Sequence, residues 1–316
     1  MRRVFALLFV SLLMSWPVLA QNDPCAVAGT NNDFLGIQTI RLWPGDAPQA
    51  KGKACEDTPT LTILEPAKGT GNGSAVVIMP GGSYLHLASN HEGRQVADWF
   101  TTRGFRAFIL DYRLASHGYL VQVAQMDARR AVQTVRAGAK EYQIDPNKIV
   151  VMGFSAGGHL AALTGTTFIP GKPDAGDPIE RLASRPDFLV LGYPWIGALS
   201  DYDPRYMERC KKDFGTEKCD PLKTGYSPEL LVNKETPPTF LYHTFNDQTV
   251  PVEQGLRFYE ALLKAGVQSE AHFFANGPHG VGLGKGDAVL EQWPILLESW
   301  LRAQGLISPA KPAAKP

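Results

Sequence analysis

The chain has 316 residues, 44% of them hydrophobic, with 31 basic and 31 acidic side chains and a formal net charge of zero. That length and apolar content suffice to bury a large core in one big domain or two small ones. The charge balance removes the electrostatic argument for a nucleic-acid partner, since phosphate binding calls for a basic face and no basic run supplies one.

The first segment, "MRRVFALLFVSLLMSWPVLAQNDPC", has two arginines, an apolar stretch from Val4 to Met14, and small Val18 and Ala20 before a polar run. This is the pattern of a secretory signal peptide over residues 1–20, cut after Ala20. The competing reading, a transmembrane anchor, needs a longer apolar run. Cys25 stands beyond the expected cut rather than at it, which disfavours a lipoprotein anchor. No later segment is long and apolar enough to span a bilayer, so no stable membrane anchor is expected. The expected location is the periplasm or the outside medium. Cleavage would remove Arg2 and Arg3 and no acid, leaving the mature chain near neutral.

Cys25, Cys55, Cys210 and Cys219 all fall in the exported part, and an even number of cysteines in an oxidising compartment implies two disulfides. Proximity favours Cys25 with Cys55 and Cys210 with Cys219. Neither C-x-x-C nor H-E-x-x-H occurs, so no metal site is expected.

From residue 21 to 307 the chain reads as one domain in which β-branched apolar runs alternate with helical patterns. This predicts an α/β fold with a mostly parallel central sheet and helices on both faces. The strands are "TLTILEP", "SAVVIMP", "FRAFILDY", "KIVVMG", "DFLVLGYP", "TFLYHTF" and "SEAHFFA". Helices are predicted over Arg94 to Arg103, Tyr119 to Tyr142, Val252 to Ala265 and Val289 to Gln304. In the second, Val121, Ala124, Ala128, Ala131, Val132 and Val135 form one apolar stripe. From Trp195 to Glu235 the periodicity fades into a polar, Pro-containing stretch, read as an inserted loop or small cap stapled by its two cysteines. The tail, 308–316, is too rich in Pro, Ala and Lys to pack.

One stretch carries chemistry. In "VVMGFSAGGHLAALTG" the pattern G-x-S-x-G is met by Gly153, Ser155 and Gly157, between a predicted strand and a helix-forming run. A nucleophile elbow has that context, with small neighbours on both sides of a strained serine. A serine hydroxyl needs a histidine to take its proton and a carboxylate to hold the imidazole. His279, in the glycine-bounded "NGPHGVG" after the last predicted strand, is the candidate base. His272 lies within that strand and His159 one helical turn after the serine, where packing explains them better. His86, His91 and His117 precede the elbow. Asp247, just past "TFLYHTF", is the candidate acid, ahead of Asp201, Asp203, Asp213 and Asp220 in the polar insert. The order Ser155, Asp247, His279 is that of the α/β-hydrolases. Backbone amides for an oxyanion are expected from Gly81, Gly82 and Ser83 in "VVIMPGGSYLH" and from Ala156. The alternatives for the Gly-Gly pair are an ordinary turn or a phosphate loop, and the latter lacks its Lys-Ser or Lys-Thr.

These motifs resemble the secreted α/β-hydrolases of the acetylxylan esterase type, close to the hormone-sensitive-lipase-like esterases. The resemblance runs through "LWPGDAP", "MPGGSY", "NHEG", "DYRLA", "DARRAVQTVRA", "GFSAGGHLAA", "RPDFLVLGYP", "TPPTFLYHTFNDQTVP" and "GPHGVGL". It implies serine-dependent ester hydrolysis through an acyl-enzyme, without a cofactor, on a small-molecule or oligosaccharide ester, with acetylated sugars the expected class. One departure is Ser83, where the family usually has a third glycine. Asp111 and Arg113 are expected to form a buried pair, and Asp145 with Pro146 a turn into the elbow strand. Tyr84, Trp195 and Tyr226 are candidates for stacking on a sugar ring. Two other readings stand beside the esterase: a serine peptidase related to the prolyl oligopeptidases, without their amino-terminal propeller, and a non-catalytic binding protein on the same scaffold.

Overall fold

The computed structural model describes residue 25 and residues 37–197 and 227–307. The expected signal peptide, most of the insert with Cys210, Cys219 and Tyr226, and the tail lie outside the described residues.

The β-branched runs form the strands β2 (Thr60–Leu64), β3 (Ala75–Met79), β4 (Arg106–Asp111), β5 (Ile149–Phe154), β6 (Phe188–Gly192), β7 (Thr239–Thr244) and β8 (Ser269–Phe274), joined by a short β1 (Thr39–Arg41). They make one sheet in the order β1-β2-β4-β3-β5-β6-β7-β8. The pairs β1/β2 and β2/β4 are antiparallel, and every other pair is parallel. Parallel strands must be covered on both faces, and the alternation of side chains along a strand provides for that. Val77 and Met79 of β3 and Val151 of β5 enter one apolar cluster, while Val76, Ile78, Val150 and Met152 enter the other.

Among the described residues, five α-helices cover those faces: α1 (Gln95–Thr101), α2 (Val121–Ala137), α3 (Ser155–Thr166), α4 (Glu253–Lys264) and α5 (Gln292–Ala303). The α2 stripe, with Leu160 of α3 and Phe258 and Leu262 of α4, packs into the first cluster. Val96 and Phe100 of α1 and Trp293, Leu297 and Leu301 of α5 fill the second. The predicted helices are all present but shorter than read. Residues Ser89–Arg94 form a π-helical turn that runs directly into α1.

α3 is buried on every side. Its small residues permit this: a Cβ on Gly165 would lie 2.4 Å from Leu189 Cδ1, and one on Gly158 2.8 Å from Pro194 Cβ. Each helical glycine costs about 1 kcal/mol in propensity, which here is offset by close packing against β5 and β6.

The expected pair of Asp111 with Arg113 does not form. Arg113 instead grips Asp127 of α2, with Nη2 to Oδ1 at 2.6 Å and Nε to Oδ2 at 3.0 Å. Arg113 is 2% exposed and Asp127 0%, whereas Asp111 faces solvent. The turn at Asp145 is present, its Oδ1 accepting the Asn147 N–H at 2.9 Å. Cys25 and Cys55 have Cα atoms 5.1 Å apart, within disulfide range. At the amino edge of the sheet, Ser74 Oγ, just before β3, donates to Leu306 O at 3.1 Å, and Lys148 Nζ, just before β5, to Gly305 O at 3.3 Å. No helix among the described residues is long and apolar enough to cross a membrane.

Candidate active site

Ser155 sits where β5 turns directly into α3, with φ +51°. For a serine this left-handed value costs on the order of 1 kcal/mol or more. The flanking glycines make the turn possible. A Cβ on Gly157 would lie 2.0 Å from Met79 O, and one on Gly153 2.1 Å from Gly157 O. No larger residue fits at either place unless the backbone moves.

The loops after β7 and β8 leave the same carboxyl edge and bring Asp247 and His279 to the serine. His279 Nε2 lies 2.8 Å from Ser155 Oγ, and His279 Nδ1 2.7 Å from Asp247 Oδ2. A carboxylate only accepts, so the ring proton sits on Nδ1 and Nε2 is left to accept from the serine. The other Asp247 oxygen, Oδ1, accepts the amides of Thr249 and Val250 at 2.8 and 2.9 Å. Burial works to raise the Asp247 carboxyl, but hydrogen bonds from His243, His279 and the Val250 amide outweigh it, holding the group well below the usual carboxylate range.

Gly82, Ser83 and Tyr84 follow β3 with positive φ of 129°, 58° and 58°. Only glycine fits at 82, where a Cβ would lie 2.1 Å from His86 O. Among the described residues the Gly82 and Ser83 amides have no hydrogen-bond partner in the protein. Ala156 N–H belongs to the first turn of α3, where amides lack a partner within the helix. Gly81 differs from its expected role, because its N–H is already committed to Glu92 Oε2 at 2.7 Å.

Comparison with known proteins bears on the family and the fold. The BD-FAE family model matches residues 61–171. The acetylxylan esterase of Xylanibacter ruminicola is 33% identical over 236 residues, 73% of this chain and 46% of that protein. A crystal structure of an acetyl ester-xyloside bifunctional hydrolase from Caldicellulosiruptor lactoaceticus is 36% identical, with a TM-score of 0.76, and covers 86% of this chain and 97% of the other. The chain belongs to the acetylxylan-esterase-like α/β-hydrolases. A thermophilic esterase from Thermogutta terrifontis, 29% identical with a TM-score of 0.69 over 87% of this chain and 94% of its own, has the same fold. The chain spans about half the length of its Xylanibacter relative. The peptidase reading gains no support from these relatives.

Within this esterase fold two stacking candidates have other partners. Tyr84 is 6% exposed, so its ring offers no face to a sugar. Its hydroxyl is hydrogen-bonded to His159 Nδ1 at 2.8 Å, and its ring meets Tyr112 edge-on. His159 is indeed packed, but its partner lies off the helix. Trp195 is half-buried against His159, with ring centroids 4.3 Å apart, and its backbone N–H donates to Ser155 O at 3.0 Å. Tyr226 lies outside the described residues. His272 stays in β8, paired with Glu270 at 2.8 Å.

Four further residues support the candidate site and carry no role in the sequence reading. Glu92, in the quoted "NHEG", is 2% exposed and holds Gly81. Tyr193, with φ +33°, bonds Glu92 through its hydroxyl. His243 is wholly buried, donating from Nε2 to Val250 O at 3.0 Å with Asp247 Oδ2 3.5 Å away. Gln254 Oε1 accepts the Ile196 and Gly197 amides at 2.7 and 3.0 Å, fixing the chain where it leaves for the insert. The glycine beside Glu92 and the spacing of His243 four residues before Asp247 were the available signals.

Proposed function

We propose that this protein is a serine carboxylic-ester hydrolase that removes acetyl groups from xylan or other acetylated carbohydrates through an acyl-enzyme. The observation that carries the reading is the continuous hydrogen-bonded line from Ser155 through His279 to Asp247, beside the unpartnered Gly82 and Ser83 amides. Ser155 Oγ attacks the ester carbonyl while its proton passes to His279 Nε2, and Asp247 stabilises the imidazolium. Negative charge on the former carbonyl oxygen is met by the amides of Gly82, Ser83 and Ala156, each worth about 10²–10³ in rate. His279 then gives its proton to the departing alcohol oxygen. Water, deprotonated by the same nitrogen, attacks the acyl-enzyme and releases the acid. The acetylated-sugar assignment is supported by the names of the Xylanibacter and Caldicellulosiruptor relatives.

The protein is further proposed to be exported after cleavage behind Ala20 and to carry an oxidised Cys25–Cys55 bridge. The amino-terminal pattern and the Cα separation support this.

Acetate release from acetylated xylo-oligosaccharides by the mature chain, beside Ser155→Ala, tests the function. Release by the parent that falls about 10³-fold or more in the variant is expected. Hydrolysis of p-nitrophenyl acetate without release from the oligosaccharides would leave an esterase and overturn the carbohydrate assignment. Equal activity in the variant would overturn both.

A further inference from the structure

Glu92 takes no part in the acyl-transfer steps, yet it lies buried against them. A buried carboxylate is costly unless donors surround it, so its partners define its use. Oε2 accepts the Gly81 N–H at 2.7 Å and Oε1 the Tyr193 hydroxyl at 2.7 Å. Burial, with Tyr242 and Glu92 beside it, pushes the Tyr193 hydroxyl well above its usual pKa, so it remains a donor. Tyr193 Oη in turn accepts the Gly282 N–H at 2.9 Å, in the loop that carries His279, and its ring meets the His279 ring edge-on at 5.0 Å.

Two glycines show how close these parts stand. A Cβ on Gly81 would lie 2.7 Å from Glu92 Oε2 and 2.9 Å from Ser155 Cβ, so the carboxylate and the nucleophile flank the same residue. One on Gly282 would come within 2.6 Å of His91 O, so the turn bearing Glu92 also abuts the histidine loop. With its N–H engaged, Gly81 leads the chain into Gly82 and Ser83 with their amides open.

We propose that Glu92 is a positioning residue that sets the oxyanion loop and the His279 loop in a common register, one carboxylate oxygen serving each. The proposal rests on the esterase reading above. A group that only stabilises the fold would change the melting temperature; a group that sets register changes turnover of bound substrate. Glu92→Gln keeps one acceptor for Gly81 and presents an NH₂ to Tyr193, reversing the polarity of the second link. Tyr193→Phe leaves the Gly81 bond and cuts only the branch to the histidine loop.

The test is p-nitrophenyl acetate hydrolysis by the parent, Glu92→Gln, Tyr193→Phe and the double variant, each with its melting temperature. Since misplacement of about 1 Å can cost about 10²-fold, kcat is expected to fall about 10- to 100-fold in Glu92→Gln, with KM within about threefold. Tyr193→Phe should lose less than Glu92→Gln but more than about threefold. The double variant should match Glu92→Gln within about threefold, because both changes act on one linkage. A folded Glu92→Gln with kcat within about twofold of the parent, or a double variant losing the product of the two single losses, overturns the proposal. If Glu92→Gln does not fold, Tyr193→Phe decides, and unchanged kcat there overturns it. An inactive parent, or a parent no faster than Ser155→Ala, marks failure of the esterase reading instead.

Discussion

Asp247 remains ionised in surroundings that by burial alone would neutralise it, because both of its oxygens are saturated with donors. Its folded pKa therefore lies below the unfolded value of about 3.9. Such a group contributes its full stabilisation above the unfolded pKa and loses it as pH falls through the folded one. Asp247→Asn is expected to melt below the parent at pH 7, with a deficit that narrows as pH drops below about 4. Melting curves from pH 3 to 7 check this, and a deficit that does not change with pH would refute it. Activity in the same variant should fall by about 10³-fold or more, since His279 loses the partner that fixes its tautomer. At this scale the sequence identified Ser155, Asp247 and His279 as three side chains that come together, because chain order and loop position constrain them strongly. Glu92 and His243 gave no comparable signal, since what each one holds is decided by distant segments. The burial of Tyr84 is hidden for the same reason: residue type does not say which way a ring faces, and this one lies in the core. Arg113 likewise chose Asp127 on a neighbouring helix over the acid two residues away.

Among the elements, the seven strands read from the sequence are those with several adjacent β-branched or aromatic residues. β1 escaped notice because three residues carry no measurable period. α3 was visible only through its elbow, since a helix buried all round has no apolar stripe. The turn Pro228–Leu230, where the chain returns from the insert, contains a second carboxyl group whose burial opposes its charge. Burial, opposed by a backbone hydrogen bond and the charge of Arg257, pushes Glu229 up to about 7, and among the described residues its Oε2 has no hydrogen-bond partner. Because the folded pKa exceeds the unfolded one, the native state favours the protonated form, and stability drains away as pH rises from about 4 through about 7. Glu229→Gln should therefore raise the melting temperature at pH 8 by a few degrees and leave it unchanged near pH 4. No gain at pH 8 would show that the carboxylate is adequately solvated there.

For the whole molecule, the alternation of strands and helices was enough to predict a mostly parallel sheet covered on both faces. It did not reveal that two antiparallel pairings close the β1 side, because pairing direction depends on where the chain returns. The bridge proposed between Cys25 and Cys55 would tie the amino-terminal segment to this body across a sequence separation of 30. Loop entropy puts its contribution at about 3–4 kcal/mol. Reduction should lower the melting temperature of the mature protein by several degrees and that of Cys55→Ala by much less. An equal drop in both would assign the effect elsewhere.

The anchoring of the last helix carries a practical consequence. Leu306 and Gly305 are held by Ser74 and Lys148, which precede β3 and β5, while Ser155, Asp247 and His279 follow β5, β7 and β8. The chain thus passes Ile307 behind the sheet, with the reactive edge facing the other way. A solid support or fused protein joined at Ile307 would stand at the amino edge of the strands, away from the edge that bears Ser155.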